Sequence, residues 1–412
     1  MTDTTAVSNK PLAAPAEWGG APMATSGRLA GALTFEDLRR MAQARLPRPI
    51  FHYVDGGGES ELTMGRNSSA FDRIAFRPRT VADIAGRTQA TSFFGRPSAA
   101  PFGIGAMGGL GLLCPDADVF AARVAAKAGI PYVMATGASS SLERVAEAAP
   151  DGRRWFQLYV FSDEALNRRL LGRAAAAGYE ALVVTTDTQI GAKRIRDMRT
   201  GFGLPLRLTP RTVFDFAVRP GWLWRVARHG NVGMMGNLAS EVGTPPTATK
   251  TFNHFRTGRS RSVGWEALKP LRDIWKGPML IKGIVTAEEA AEAVRFGADG
   301  IIVSNHGGRN LDGTLPTIEA LPEVVAAAGS RLTVFLDSGI RRGGDIVKAL
   351  ALGARGVFVG RPVAYGLATA GEAGAAHVIG MLHDEVDRVQ GLLGCSSFER
   401  IDPSFVQPGG HP

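Results

Sequence analysis

The segment GIIVSNHGGRNLDG (300–313) joins a short apolar run to a glycine-rich loop, and the same change of character recurs along the chain. Short runs of apolar, β-branched or aromatic residues that are closed by Gly, Asp, Asn or Thr are typical of buried β-strands. Eight of them occur, at residues 100–106, 132–136, 155–160, 181–187, 278–283, 300–305, 333–339 and 356–360. The sequence therefore predicts eight strands that are covered on both faces.

Alanine-rich segments with helical spacing separate several of these strands. They cover residues 116–129, 163–178, 286–297 and 341–353, and Thr286 begins a TAEE pattern that is typical of a helix N-cap. Strands that alternate with helices favour a parallel sheet. Because eight such units favour a closed barrel over an open sheet, we expect an α/β protein with a (β/α)₈ or TIM barrel that begins at about residue 99.

Two segments fall outside this repeat. Residues 32–98 precede the barrel and begin with a helical pattern at 33–46, which predicts an N-terminal helical extension. Residues 205–265 form a long insert after strand 4 without a regular period, and such an insert is a functional loop, a partner site or disorder. The expected division is a disordered tail (1–31), one domain (32–404) and a C-terminal tail (405–412).

The composition excludes several classes of protein. With 412 residues, 45% of them hydrophobic and 21% charged, the chain is globular and long enough for one large domain. Two cysteines without a partner motif argue against a disulfide framework and favour a reducing cytosol. The sequence contains no long apolar span, no metal-ligand spacing of histidines, no P-loop and no nicotinamide-type Rossmann motif. We therefore expect no transmembrane helix and no metal site.

The net charge is +9, from 47 Lys and Arg against 38 Asp and Glu. Such an excess fits nucleic acid, a membrane surface or anionic ligands, and it also occurs in proteins without a charged partner. Part of the excess lies in the insert, where arginines occur among aromatic residues. These residues are Arg211, Arg219, Arg225, Arg228 and Arg256, with Phe214, Phe216, Trp222, Trp224 and Phe255.

His306 and Arg309 lie in the loop SNHGGRNLDG (304–313), directly after the sixth predicted strand. Loops that follow the strands of a barrel form its C-terminal mouth, where barrel enzymes carry out their chemistry. A histidine can take a proton near neutral pH, and an arginine can hold a carboxylate through two parallel hydrogen bonds. The loop therefore predicts an acid–base site that binds a carboxylate, and the alternative is a turn with a surface histidine.

A phosphate site is predicted at the last two strands. LDSGIRRGGD (336–345) follows the seventh strand and VGRP (359–362) follows the eighth. Barrels often bind phosphate in these two loops through backbone N–H groups and a helix N-terminus. Arg341 and Arg361 supply the complementary charge, so the sequence predicts a ligand that carries a phosphate.

Other polar residues end predicted strands or share their faces. Asp187 follows a buried run, where a carboxylate needs a partner; a histidine is one partner, and a helix N-cap role is the alternative. Lys282 ends the fifth strand and needs an anionic or electron-rich neighbour. Gln157 and Tyr159 share one face of the third strand by period-two alternation, with aromatic core packing as the alternative for Tyr159. Tyr53 is a weaker candidate.

Together these motifs resemble one family, the FMN-dependent L-2-hydroxy-acid oxidases and dehydrogenases. The resemblance runs from about Leu33 to Ile401 and keeps the motifs in family order. SNHGGRNLDG differs from the usual family form at Asn310, where Gln is common. The resemblance implies FMN as the cofactor and the oxidation of an L-2-hydroxy acid to a 2-oxo acid.

The resemblance also implies a role for each matching residue. His306 is the catalytic base, Asp187 pairs with it, and Tyr159 and Arg309 complete the catalytic group. The implied substrate-binding residues are Tyr53, Tyr159, Arg194, His306 and Arg309. The implied cofactor-binding residues are Ala106, Met107, Gly108, Ala135, Gln157, Thr185, Lys282, Ser304, Asp337, Gly339, Arg341, Gly360 and Arg361.

One further segment and two single residues depart from the family pattern. Ala106-Met107-Gly108 replaces the usual Pro-Thr-Ala or Pro-Thr-Gly, and Ala135 replaces a serine near the flavin. Gly137 stands where some members carry a pocket tryptophan, and the smaller residue opens room. We therefore expect a bulky or aromatic, mandelate-like acid, or lactate, as the substrate.

The resemblance extends to partners and localisation. The insert is similar in place and length to the segment with which quinone-linked members contact the membrane, and the alternative is a mobile lid over the active site. We expect a dehydrogenase with a quinone acceptor, with an oxygen-using oxidase that produces hydrogen peroxide as the alternative. The expected protein is cytoplasmic or peripheral to the inner face of the cell membrane, and it is a homotetramer by resemblance. The expected phosphate and carboxylate ligands are anionic and can account for the positive net charge, so we expect no nucleic-acid partner.

Overall fold

The computed structural model describes residues 18–24, 27–203, 209–229 and 233–409. In chain order the strands are β1 (Ile74–Phe76), β2 (Thr91–Phe93), β3 (Arg96–Ser98), β4 (Phe102–Ile104), β5 (Tyr132–Ala135), β6 (Arg154–Tyr159), β7 (Ala181–Thr185), β8 (Met279–Ile284), β9 (Gly300–Val303), β10 (Thr333–Leu336), β11 (Gly356–Val359) and β12 (Val406–Pro408). The eight strands β4–β11 close into a barrel, and all their pairings are parallel. The predicted (β/α)₈ barrel is confirmed, and each of its strands overlaps one of the eight apolar runs.

Helices surround the barrel and form the N-terminal extension. They are α1 (Phe35–Arg45), α2 (Arg48–Asp55), α3 (Leu62–Asp72), α4 (Ala117–Lys127), α5 (Leu142–Ala148), α6 (Glu164–Ala176), α7 (Ile195–Thr200), α8 (Pro210–Ala217), α9 (Pro220–His229), α10 (Ala248–Gly258), α11 (Trp265–Ile274), α12 (Ala287–Phe296), α13 (Thr317–Ala328), α14 (Gly343–Ala351) and α15 (Arg361–Leu392). Thr286 caps α12 as predicted, because its hydroxyl accepts a hydrogen bond from the Glu289 N–H. Non-helical backbone at Ala370 and Gly371 divides α15 into two parts.

Large apolar side chains fill the N-terminal half of the barrel interior. Trp155, Phe335 and Phe358 are buried there, with ring centroids 5.3–5.6 Å apart. Phe93, from the hairpin β2–β3, packs edge-on against Phe335 at 5.2 Å and covers this end of the barrel. Because this end is filled and covered, the polar side chains of the interior lie toward the C-terminal mouth.

The described parts of both expected tails contact the domain. Trp18 stacks on His383 of α15, with ring centroids 3.8 Å apart, and the Ala24 N–H donates to His377. At the other end, β12 pairs antiparallel with β1, and Phe405 is buried. Residues of both segments that were predicted to be tails are therefore packed against the domain. Residues 1–17, 25–26 and 410–412 lie outside the described residues.

The insert contains α8, α9, a 3-10 helix (Gly236–Glu241) and α10, although we predicted no regular period there. Each of the three α-helices has 8 to 11 residues and buries a single side chain, namely Thr212, Trp222 or Thr251. Helices α8 and α9 are amphipathic, so the prediction of a segment without a regular period was wrong there; most of their apolar residues are not buried. Among the described residues, no helix is long and apolar enough to cross a membrane.

Candidate active site

The floor of the site follows from the period-two alternation of the barrel strands. The interior apolar layer contains Val133, Trp155, Val183, Leu280, Ile302, Phe335 and Phe358. Two residues further along each strand, the side chain points into the barrel again but one layer closer to the mouth. The positions reached in this way are Ala135, Gln157, Thr185, Lys282, Ser304, Asp337 and Gly360, and all seven are predicted cofactor-binding residues.

Lys282 is the charged group of this floor. Its Nζ donates to Ser304 Oγ at 2.7 Å and lies 3.2 Å from Asp337 Oδ2. Burial lowers the pKa of Lys282, but the negative charges of Asp337 and Asp187 outweigh burial and raise it above its usual value. Lys282 is therefore a fixed ammonium under the mouth of the barrel.

The loop after β9 folds back over this floor. His306 has a φ of 58° and is followed by Gly307 and Gly308, both with a φ of 69°. A Cβ on Gly308 would lie 2.5 Å from the backbone N of Met64, so only glycine allows this close approach. The His306 N–H donates to Ser304 Oγ at 3.1 Å. The glycine pair thus directs the His306 ring across the mouth of the barrel.

His306 lies between a carboxylate and a phenol. Its Nδ1 is 3.1 Å from Asp187 Oδ1, and its Nε2 is 3.3 Å from Tyr159 Oη. Burial lowers the pKa of His306 and Lys282 acts in the same direction, although Asp187 opposes them. Burial raises the pKa of Asp187, but the charges of His306 and Lys282 hold it below its usual value. The arrangement suits a neutral imidazole that can take a proton, next to a carboxylate that stabilises the imidazolium.

Arg309 lies three residues beyond His306 in the same loop and contacts the C-terminal end of α2. Its Nη1 donates to the carbonyl oxygens of Tyr53 at 2.7 Å and Gly56 at 3.0 Å, and its guanidinium lies over the Tyr53 ring. Burial, together with the charge of Arg194, lowers the Arg309 pKa to about 9. No described carboxylate forms an ion pair with Arg309, and Arg194 contacts Asp197 only at 3.9 Å. Two arginines with so little countercharge fit a carboxylate ligand.

Two further buried guanidinium groups lie at the predicted phosphate loops. Arg361 donates to the carbonyl oxygens of Gly307 and Gly56, both at 2.9 Å, and its pKa is lowered to about 10 by burial and by Arg341. Arg341 lies over the Phe35 ring at 4.4 Å, and burial lowers its pKa as well. Within the described ranges neither arginine has a carboxylate ion pair. Buried cations without anionic partners need an anion, and a phosphate fits this need.

Comparisons with known proteins agree with this arrangement. A family model described as FMN-dependent dehydrogenase matches residues 42–408. The chain belongs to this family. An L-lactate dehydrogenase of Serratia proteamaculans is 40% identical over 373 residues, which are 90% of this chain and 98% of that protein.

Solved structures extend the comparison. A monotopic membrane protein, (S)-mandelate dehydrogenase, superimposes with a TM-score of 0.87 at 37% identity and covers 91% of this chain and 99% of its own. A mandelate oxidase with (S)-4-hydroxymandelic acid gives a TM-score of 0.79 at 36% identity, over 92% of this chain and 100% of its own. The predicted family and its FMN cofactor are therefore confirmed, and lactate and mandelate, the acids in these names, are both 2-hydroxy acids.

The residues of this member of the FMN-dependent dehydrogenase family fit the cofactor. Lys282 and the Gln157–Thr185 pair, joined at 2.8 Å, offer a cation and hydrogen-bonding groups to a flavin ring. Arg341 and Arg361 offer uncompensated positive charge to its phosphate. Gly339 has a φ of 89°, and a Cβ there would lie 2.3 Å from the Asn67 carbonyl oxygen. The loop that joins Asp337 of the floor to Arg341 can therefore pass close to α3 only if residue 339 is glycine.

The segment Ala106-Met107-Gly108, which follows β4, also borders the mouth of the barrel. Ala106 packs against the interior apolar cluster, and a Cβ on Gly360 would lie 3.7 Å from Met107 Sδ. The Gly108 carbonyl oxygen accepts a hydrogen bond from Tyr53 Oη at 3.1 Å. All the predicted site residues of this family member thus lie along the barrel mouth or in the loops and helix that border it.

Two features of this site were not predicted. Arg259, at the end of the insert, has its guanidinium over the rings of Tyr159 and Phe255, 5.8 and 5.1 Å away. Asp55, at the end of α2, accepts hydrogen bonds from Arg39, Arg196 and Tyr365. No local sequence pattern in the insert marks Arg259 as a site residue. A local pattern does mark Asp55, because it is an acidic residue at the end of the apolar face of FHYVDGG (51–57).

Proposed function

We propose that this protein uses FMN to oxidise an L-2-hydroxy acid to the 2-oxo acid at the mouth of the barrel. The observation that carries the proposal is the His306–Asp187 pair at the mouth of the barrel, with Arg309 three residues further along the same loop. The pair offers a base, and Arg309 offers a cation without a carboxylate partner among the described residues. A hydroxyl group and a carboxylate on adjacent carbons would engage the base and the cation at once.

In this proposal His306 is the general base. The oxidation removes two electrons and two protons, and His306 Nε2 takes one proton, from C2 of the substrate or from its hydroxyl group. The lowered pKa keeps His306 neutral near pH 7, and Asp187 stabilises the imidazolium that forms. When bound, FMN would accept the two electrons and the second proton. Lys282 would then stabilise the negative charge that remains on the reduced cofactor.

The other residues hold the substrate. Arg309 and Arg194 bind its carboxylate, and the carbonyl contacts of Arg309 aim its remaining N–H groups. Tyr159 Oη lies 3.3 Å from His306 Nε2, where it can donate to the substrate oxygen. Because the Tyr159 pKa is raised to about 12, mainly by burial, Tyr159 remains a neutral donor. Tyr53 lies under the Arg309 guanidinium and donates to the Gly108 carbonyl oxygen.

A substrate panel tests this proposal. Glycolate, L-lactate, (S)-mandelate and its ring-hydroxylated form would be mixed with the FMN-loaded protein without oxygen, and the loss of oxidised-flavin absorbance would be recorded. We expect reduction by the S enantiomer of a bulky or aromatic acid, or of lactate, and none by the R enantiomer. Failure of every acid to reduce the flavin would contradict the proposal.

We propose further that the enzyme is a dehydrogenase whose acceptor is a membrane quinone. The similarity to a monotopic membrane dehydrogenase supports this choice. The similarity to a mandelate oxidase supports the second candidate, an oxidase that produces hydrogen peroxide. Mixing the reduced enzyme with oxygen, or with a soluble quinone, separates them. Rapid reoxidation by oxygen with release of peroxide would exclude the dehydrogenase.

The insert supports a peripheral membrane contact. Helices α8 and α9 expose Val213, Phe214, Leu223 and Trp224, of which Phe214 and Trp224 are 65% and 60% exposed. Arg211 and Arg228 are exposed on the same helices. The opposite face of α9 packs against the rest of the protein, because the Trp222 side chain is buried and its Nε1 donates a hydrogen bond to the Leu112 carbonyl oxygen. Exposed aromatic residues among arginines suit an anionic lipid surface, so we propose a location at the inner face of the cell membrane.

Vesicle binding tests this contact. The double variant Phe214→Glu/Trp224→Glu should lose co-sedimentation with anionic vesicles while its activity on the soluble acid is retained. Val81→Glu is the control, because Val81 is fully exposed outside the insert. Equal binding by all three proteins would contradict the membrane contact and favour a lid. Light scattering of the purified protein would test the proposed homotetramer, for which we expect four times the mass of one chain.

A further inference from the structure

Gly137 lies beside the proposed substrate site. Its carbonyl oxygen accepts a hydrogen bond from the Gly109 N–H at 2.9 Å, and a Cβ on Gly108 would lie 3.4 Å from the same oxygen. The Gly108 carbonyl oxygen in turn accepts from Tyr53 Oη at 3.1 Å. Tyr53 lies under the Arg309 guanidinium. This chain of contacts connects Gly137, through Gly108 and Tyr53, to the arginine that would hold the substrate carboxylate.

The insert reaches the same space. A Cβ on Gly137 would lie 3.7 Å from Met235 Cε and 3.9 Å from Met235 Sδ, and Met235 is the nearest side chain to it. The end of the Met235 side chain therefore faces the position where this chain has no side chain at all. The distance between them is ordinary van der Waals contact, so any larger group at Gly137 would compete with Met235 for space.

Hydrogen bonds hold Met235 and Gly137 at a fixed spacing. The Gly236 N–H donates to the Ala138 carbonyl oxygen at 2.9 Å. Asn237, which is fully buried, donates to the Ala135 carbonyl oxygen and accepts from the Leu142 N–H. These bonds fasten the insert to both ends of the loop after β5. A buried carboxylate, Asp118, holds the same loop from the other side through the Ser139 N–H at 2.9 Å.

We propose that Met235 is a specificity-determining residue, the wall against which the substituent at C2 of the substrate packs opposite Gly137. This inference rests on the proposed function and extends it, because it assigns substrate selection to the insert. A thioether on an unbranched chain adapts to ring-shaped groups and makes favourable contacts at ring edges. Met235 is half-buried and packs against the main core, so it can move without unfolding the loop.

The test changes the size of this wall. Met235→Phe narrows the space and Met235→Ala widens it, while Met198→Ala removes a methionine that is 67% exposed on α7 and serves as the control. The measurement is the ratio of kcat/KM for (S)-mandelate to that for L-lactate, and for a naphthyl-substituted 2-hydroxy acid to that for (S)-mandelate. Changes of a methylene or two in an apolar pocket alter discrimination by roughly 10–200-fold.

We expect Met235→Phe to lower the mandelate-to-lactate ratio about tenfold or more, and Met235→Ala to raise the naphthyl-to-mandelate ratio by a similar factor. Met198→Ala should leave both ratios within about threefold of the wild type, because its side chain contacts solvent. Ratios that do not change in either Met235 variant would overturn the assignment. If Met235→Phe fails to bind FMN, the ratio for Met235→Ala decides alone.

Ligand binding separates this inference from the proposed function. Dissociation constants for benzoylformate and pyruvate, the 2-oxo acids with aromatic and methyl substituents, would be measured from changes in the flavin absorbance of each variant. The Met235→Phe variant should weaken benzoylformate selectively. If no hydroxy acid reduces the flavin, the proposed function is wrong, but the ratio of the two dissociation constants still tests Met235. Selective weakening of benzoylformate binding supports the assignment of Met235 as the wall of the substituent pocket. Unchanged relative affinity for the two 2-oxo acids overturns it.

Discussion

Replacing Asp187 with asparagine tests the electrostatic role of the carboxylate in the candidate site. Asparagine keeps the shape and a carbonyl oxygen, but it removes the negative charge that lies 3.1 Å from His306 Nδ1. FMN binding should change little, because Asp187 hydrogen-bonds the histidine and acts on Lys282 of the predicted flavin site only through its charge. The substitution therefore tests mainly the stabilisation of the imidazolium that forms when His306 takes its proton.

The expected loss can be worked from the geometry. Two opposite charges about 4 Å apart attract by about 4 kcal/mol at an effective dielectric constant of about 20. The two side chains are only 19% and 15% exposed, so solvent screens this attraction little. The asparagine oxygen still accepts a hydrogen bond worth about 1 kcal/mol. A net loss of about 3 kcal/mol corresponds to flavin reduction about 100-fold slower.

Anaerobic stopped-flow measurement of flavin reduction across a range of pH gives two readouts. The rate should rise with pH through the His306 pKa, because only the neutral imidazole accepts a proton. Asp187 raises that pKa against the effects of burial and Lys282. Its removal should therefore move the rising limb to lower pH while the plateau falls. Asp299→Asn serves as the control, since Asp299 binds Arg272 and the Met279 N–H at the N-terminal end of the barrel.

An unchanged plateau in Asp187→Asn, or a limb that moves to higher pH, would refute this reasoning. A loss of FMN from the variant would show instead that Asp187 holds the cofactor loops. The Asp299→Asn plateau should stay within about threefold of the wild type if only the local charge matters.

Three further substitutions give separate outcomes. Arg309→Met should weaken binding of the 2-oxo acid by about 100-fold or more, because two charged hydrogen bonds of roughly 1.5–3 kcal/mol each are lost; unchanged affinity in a flavin titration would reassign the carboxylate site. Lys282→Met should lower the reduction potential of bound FMN, since the ammonium no longer offsets the negative charge, and an equal potential in a redox titration would remove that role. Gly339→Ala should lower the melting temperature and the FMN content, because its Cβ would lie 2.3 Å from the Asn67 carbonyl oxygen. The control Gly344→Ala, whose nearest atom outside its helix is 3.7 Å away, should match the wild type in both measurements.

The barrel was predictable because its signal is local. Each strand is a short apolar run, and each of the predicted helices has its own apolar face or cap, so eight repeats appear without any long-range information. The candidate floor was readable for a related reason. Lys282 and Gln157 are polar residues that interrupt or end an apolar run, and period-two alternation puts them in the barrel interior above Leu280 and Trp155.

Other parts of the candidate site depend on contacts between distant segments. Asp55 gains its role only when α1, α7 and α15 bring Arg39, Arg196 and Tyr365 to it. Met235 and Arg259 belong to the insert but lie outside its α-helices, and their positions are set by contacts with other segments. A single sequence does not show which distant residues pair. The bounds of the insert were therefore predictable, whereas the contacts of Met235 and Arg259 at the mouth of the barrel were not.

The proposed mechanism depends most directly on His306. Its replacement by alanine should leave FMN bound, because the phosphate arginines and Lys282 remain in place, but should abolish reduction of the flavin by an acid that reduces the wild type. The measurement is a single anaerobic mixing of the FMN-loaded His306→Ala variant with that acid, followed by flavin absorbance and assay of the 2-oxo acid. We predict a spectrum that stays oxidised and no product. Reduction at the wild-type rate would contradict the assignment of His306 as the base.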